Sequence, residues 1–175
     1  MRNQGVDPGD RVAAYVPNIA EAIIIMLATS TLGGVFSSCS PDFGIGGAHD
    51  RFSQIEPKLL FACDGYHYAG KALDRRDVVA KLAAGLPSLS AIVIIPYLDA
   101  TPDLSGLAGA VLFDQALTAP PVENFIRVGF NDPLYILFSS GTTGAPKCIV
   151  HGVGGTTLQH AKELRLQSDV KQNDA

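Results

Sequence analysis

The sequence predicts an α/β protein, part of a layered domain built on a largely parallel β-sheet. Three observations lead there. The apolar runs RVAAYV (11–16), KLLFA (58–62), AIVII (91–95) and LYILF (134–138) are continuous rather than alternating, as in strands covered on both faces. Stretches with helical spacing separate them, and strands alternating with helices argue for parallel crossovers. Hydrophobic residues make up 47% of the 175-residue chain and charged ones 17%, enough material for a core and too little charge for a disordered segment.

Each element has its own warrant. Residues 11–16 read as a short buried strand. Pro17 and Asn18 open a helix, with Asn18 as its cap and Glu21 three residues on, the spacing of a capping box. Ile19, Ile23, Met26 and Leu27 are expected to share its inner face, and Gly33-Gly34 to close it. Val35-Phe36 begins the next strand, followed by the loop SSCSPDFG (37–44). Ala48, Phe52 and Ile55 mark the inner face of a second helix, which stops at Glu56 because Pro57 follows. A strand at 58–62 comes next. Residues 75–84 form a helix with Val78, Val79 and Leu82 inward and Gly85 at its end. The β-branched run 91–95 is expected near the centre of the sheet. Across 97–133, Pro, Gly and Asp recur and no period holds. Residues 134–138 form a strand, and a helix is expected from about Gly155 to Gln167.

Composition excludes several classes. The net charge is −4 and no basic run occurs, which argues against nucleic-acid or membrane-surface binding. The longest apolar stretch, residues 22–28, is far short of the roughly 20 residues that span a bilayer. The opening MRNQGVDPGD has no apolar leader segment, so a cytoplasmic location is expected. Cys39, Cys63 and Cys148 are widely spaced, without C-x-x-C, and neither they nor His49, His67, His151 and His160 show metal-ligand spacing. No metal site is expected from these side chains.

The stretch that carries chemistry is SSGTTGAPK, residues 139–147. Gly141 and Gly144 let the backbone approach a ligand closely. The hydroxyls of Ser139, Ser140, Thr142 and Thr143 join the backbone N–H groups in a run of donors suited to phosphate oxygens. Lys147 adds a full charge, and Pro146 stiffens the approach to it. The bland alternative is a Gly/Thr-rich turn between strand and helix. The loop fails the pattern G-x-x-x-x-G-K-[ST], because Pro146 precedes the lysine out of place and Cys148 follows it.

YILFSSGTTGAPK resembles the phosphate-loop signature of the adenylate-forming superfamily, roughly [ST]-S-G-[ST]-T-G-x-P-K after a strand, shared by acyl-CoA synthetases, luciferases and peptide-synthetase adenylation domains. The likeness covers nearly the whole chain. Residues 9–28 are similar to the N-terminal region of short-chain acyl-CoA synthetases. Within that group, residues 37–44, 51–71 and 146–155 resemble most the branch that activates acetoacetate, and Cys148 stands where most relatives have glycine.

The resemblance implies an acid–thiol ligase that joins acetoacetate to ATP as an acyl-adenylate and passes it to CoA, with Mg²⁺. It places Ser139, Ser140, Gly141, Thr142, Thr143, Gly144 and Lys147 on the ATP phosphates. Acetyl-CoA synthetases carry R-A-G-R, which holds the CoA 3′-phosphate, where this chain reads Tyr68-Ala69-Gly70-Lys71. Lys71 thus becomes a CoA candidate, against a solvated lysine before a helix. Phe43 falls by the CoA-facing loop, against core packing. His151 reads as a packed, hydrogen-bonded side chain, His160 as a surface or capping one. Asp42 and Asp64 lie at strand ends without acid–base spacing. The family's Y-G-x-[ST]-E segment and C-terminal lysine are not in the chain, so residues 1–175 are expected to be a partial N-terminal domain, silent on its own, with the C-terminal domain absent. The competing expectations are an acetyl- or propionyl-CoA synthetase, or a non-catalytic nucleotide-binding module. Oligomeric state is left open.

Overall fold

The computed structural model describes the whole chain except Ala119, residues 140–143 and Ala175. In chain order the elements are β1 (Arg11–Tyr15), α1 (Ala20–Thr31), β2 (Val35–Cys39), α2 (Ile45–Phe52), β3 (Leu59–Cys63), β4 (Gly65–Tyr68), β5 (Lys71–Asp74), α3 (Arg76–Ala84), β6 (Ala91–Ile95), β7 (Ala110–Leu112), α4 (Phe113–Ala116), β8 (Pro133–Ser139), β9 (Lys147–Gly152) and α5 (Val153–Lys162). A seven-stranded sheet runs in the order β7-β6-β3-β1-β2-β8-β9. All neighbours in it are parallel except the edge pair β8–β9. β4 and β5 form a separate hairpin. This is the expected α/β, largely parallel sheet.

Helices cover both faces. α1 sets Ile25 among Val12, Ala14, Phe36, Phe61 and Val93. α2 and α3 set Phe52, Val79 and Leu82 among Ala13, Tyr15, Leu60, Ala62 and Ile94 on the other face. Strand order reverses at β1, which pairs with β2 on one side and β3 on the other. In sheets of this kind, ligands gather beyond the carboxyl ends of the strands at such a reversal.

Several local expectations need correcting. α1 starts at Ala20 with Ile19 at its cap position and no side-chain cap, so Asn18 makes no capping box. Its buried positions are Ile25 and Thr29, while Ile23 and Leu27 are more than half exposed. The run of five apolar residues from Ile23 to Leu27 has no period of its own, and the sheet selects the face. Thr29 is tolerated inside because its hydroxyl donates to the Ile25 carbonyl at 2.7 Å. Gly33, at φ 69°, ends the helix as expected. β6 lies one strand from the edge rather than at the centre. The segment 97–133 does hold structure, the short β7 and α4. The chain also makes two hairpins that its sequence does not announce, β4–β5 and β8–β9.

Candidate functional site

Residues 139–147 close the β8–β9 hairpin, so the segment is neither a strand-to-helix turn nor a crossover. Antiparallel pairing sets Ser139 opposite Lys147 and Phe138 opposite Cys148. Ser140, Gly141, Thr142 and Thr143 lie outside the described residues. Gly144 has φ 108° with open space where a Cβ would stand, a conformation that excludes other residues by backbone strain. Lys147 is exposed, and among the described residues no carboxylate pairs with it. The hairpin therefore presents an exposed cation beside β8, at the carboxyl end of that strand.

Two residues that sequence reasoning missed gather around this hairpin. The Arg51 guanidinium carbon lies 4.2 Å from the Phe43 ring centre and 6.0 Å from that of Phe138, and one of its nitrogens donates to the Gly47 carbonyl at 2.6 Å. Arg51 thus joins the loop after β2 to the end of β8, in a cation–π contact with Phe43. Phe43 is 41% exposed, so it is not the core residue of the alternative reading. Gln54, in the turn that closes α2, donates to the Pro146 carbonyl at 2.9 Å and accepts from the Cys148 thiol at 3.5 Å.

A second network anchors the 40–44 loop. The Tyr15 hydroxyl donates toward the carbonyls of Phe43 at 2.6 Å and Pro41 at 3.0 Å. Burial pushes its phenol up to about 12, so it stays a donor at physiological pH. The Tyr66 hydroxyl donates to Asp42 at 2.6 Å and accepts from Arg75 at 3.1 Å. The hydrogen bonds from Tyr66 and then Ser40 hold the Asp42 carboxyl below its ordinary value. Tyr66 belongs to β4, so this contact ties the Phe43 loop to the β4–β5 hairpin. Ala69 (φ 48°) and Gly70 (φ 76°) form its tight turn, both left-handed as a two-residue hairpin turn requires. Lys71 follows, exposed on β5 opposite Tyr68, and not directly before a helix.

The other candidates resolve into structural roles. Asp64 is buried at the end of β3, its carboxylate accepting from the backbone N–H groups of Tyr97, Leu98 and Asp99 at 2.8 to 3.2 Å. His151 packs against Tyr135, ring centres 5.0 Å apart and planes tilted by 36°, half-buried and without a described hydrogen bond. His160 is exposed on α5 and helps line a cavity of about 560 Å³ with Val16, Ala22, Met26, Ser38 and Tyr135. That cavity opens at the carboxyl ends of β1, β2 and β8, on the face covered by α1. Burial pushes the Cys39 thiol up to about 11 and the Cys63 thiol up to about 12, and both are buried, whereas Cys148 is exposed. A thiol reagent is accordingly expected to modify Cys148 first and the other two only on unfolding. Peptide mass mapping after brief alkylation checks this, and early labelling of Cys39 would contradict the packing. Among the described residues no three His, Cys, Asp or Glu side chains are placed to hold a metal ion, and no helix is long and apolar enough to cross a membrane.

The chain belongs to the AMP-binding enzyme family, whose pattern it matches over residues 1–174. Its relatives narrow the branch. It is 50% identical to acetoacetyl-coenzyme A synthetase of Rhizobium meliloti, over 99% of this chain and 27% of that protein. It is 41% identical to malonamoyl-CoA synthetase of Penicillium aethiopicum, over 99% of this chain and 25% of that protein. The solved acetoacetyl-CoA synthetase from Streptomyces lividans superposes with a TM-score of 0.92 at 45% identity, covering 99% of this chain and 26% of that one. The chain thus spans about a quarter of the length of the relatives it matches.

Proposed function

We propose that the full-length protein carrying this chain is an acetoacetate–CoA ligase, and that residues 1–175 are part of its AMP-binding N-terminal domain, the C-terminal domain lying outside them. The observation that carries the reading is the SSGTTGAPK hairpin on a chain that aligns end to end with acetoacetyl-CoA synthetases. In the first half-reaction an acetoacetate carboxylate oxygen bonds to the α-phosphorus of ATP and the bond to pyrophosphate breaks. In the second, the CoA thiol gives up its proton to solvent as its sulfur bonds to the acyl carbon, and AMP leaves with the electron pair of the broken C–O bond. Such chemistry needs positioning and charge neutralisation more than covalent help.

In this reading Ser139, Ser140, Gly141, Thr142, Thr143, Gly144 and Lys147 hold the β- and γ-phosphates. The exposure of Lys147, with no carboxylate partner among the described residues, and the open space at Gly144 suit that role. Lys147 offsets charge building on the departing pyrophosphate. Mg²⁺, held by phosphate oxygens and water, would neutralise the same charge. Phe43 and Lys71 are assigned to CoA. They stand on two segments that the Asp42–Tyr66 bond holds together. The protein's substrates are small molecules, and its proposed location is the cytoplasm.

The test is ATP–pyrophosphate exchange driven by acetoacetate, acetate, propionate or malonamate. The full-length protein is expected to exchange with acetoacetate best and the isolated 175 residues not at all. Preference for malonamate, favoured by the Penicillium relative, would move the acyl assignment; silence with every acid would overturn the ligase reading.

A further inference from the structure

Gln54 touches the chain on both sides of Lys147 and leaves Lys147 itself free. Its amide nitrogen donates to the Asp50 carbonyl at 2.5 Å and to the Pro146 carbonyl at 2.9 Å. Its amide oxygen accepts from the Cys148 thiol at 3.5 Å. Both neighbours of the lysine are therefore fastened to one side chain. That side chain is well founded, since it stands between Phe52, fully buried, and Ile55, also buried. The residue fastened through its side chain is the one where this chain departs from glycine, which could make no such bond.

We infer that Gln54 is a positioning residue for the phosphate-binding hairpin, a latch that fixes the backbone on either side of Lys147, and that Cys148 is its second half. The inference rests on the ligase reading for what the latch serves, though not for its existence. Partial desolvation raises the thiol of Cys148 above its ordinary value although the residue is exposed, so the sulfur keeps the proton it donates. Strand alternation points consecutive side chains to opposite faces of β9. Cys148 accordingly meets Gln54 on the α2 face while Lys147 faces the other way, toward the side that bears the cavity. The latch can hold the hairpin without occupying the ligand's side. An untethered hairpin would spend part of its time out of position, and apparent affinity falls by the fraction of time lost.

Two measurements on the full-length protein test the latch. Trypsin cuts after Lys147, so its rate there reports how often the hairpin leaves the sheet, whatever the protein catalyses. Cleavage after Lys147 is expected to be about tenfold faster in Gln54→Ala and about threefold faster in Cys148→Ala, as suits the loss of two weak bonds or one. Cys148→Ser, which restores a donor, should return the wild-type rate. The KM for ATP should rise in the same order, with kcat within about twofold and the melting temperature unchanged. Unaltered cleavage in Gln54→Ala overturns the latch. So does a Cys148→Ser chain that is cut as fast as Cys148→Ala, or a KM that rises only where the melting temperature falls. Faster cleavage in a protein that shows no exchange with any acid sustains the latch and sinks the ligase reading alone.

Discussion

Replacing Lys147 by alanine in the full-length protein is expected to slow acetoacetate-dependent ATP–pyrophosphate exchange about 100- to 1,000-fold, the usual cost of deleting one preorganised group from a developing charge. The lysine stands at the first position of β9, exposed and without an acidic partner among the described residues, so no folded-state ion pair is lost with it. The melting temperature should therefore hold while kcat falls. Arginine at this position should recover only part of the rate, because a planar guanidinium does not occupy the place of a compact ammonium. Single-turnover formation of acyl-adenylate is the decisive measurement. A variant that adenylates at the wild-type rate would remove Lys147 from the phosphates, and with it the main role assigned to the hairpin.

The largest expected effect on stability lies at Asp64. Its carboxylate gathers three backbone N–H groups of the segment after β6, and its own carbonyl accepts from the Arg75 N–H at 2.8 Å, just ahead of α3. Asp64→Ala strands three donors that now bond to a buried carboxylate and should cost about 3 kcal/mol, since unmade bonds to a charged acceptor are among the costliest losses. In thermal unfolding of the full-length protein, about four times the length of this chain, this reads as a midpoint about 3 °C lower. Asparagine should be a poor rescue, because its NH₂ group would face N–H donors where the second oxygen stood. Below its melting point the alanine variant should keep exchange activity within about threefold, as suits a residue that only holds structure. Loss of activity with an unchanged midpoint would return Asp64 to the list of chemical candidates.

What could be read from the amino acids follows from which forces are local. β1, β3, β6, β8 and α3 fall within a residue or two of their expected bounds, because apolar runs between Pro, Gly and charged residues mark strands covered on both faces. β9 was invisible for the opposite reason. Ile149 and Val150 are 44% and 56% exposed, so an edge strand leaves no burial signature, and its pairing with β8 is tertiary information. The β4–β5 hairpin escaped because its turn places alanine, not asparagine or aspartate, in the first left-handed position. At the site, the chemistry of SSGTTGAPK was legible as a string. Its surroundings were not, since Gln54 and Pro146 are 92 positions apart and nothing in the spacing brings them together. Arg51 carries no signal of its own in the sequence, because its contacts with the rings of Phe43 and Phe138 are made only by the fold.

The antiparallel pairing of β8 and β9 also sets an arithmetic for change in this hairpin. Successive residues of a strand alternate faces, so odd and even positions of β9 belong to different environments. Residues added within 140–144 lengthen the loop and leave every pair from Ser139–Lys147 onward in step. One residue added or removed between Lys147 and His151 does something else: it exchanges the environments of all residues on one side of the change, putting a charge toward α2 or a thiol toward the side that bears the cavity. The pairing of the two strands thus survives a change in loop length, even one that would displace the proposed phosphate contacts, and is unforgiving of slippage by one. Insertion is a matter of even or odd there, more than of size.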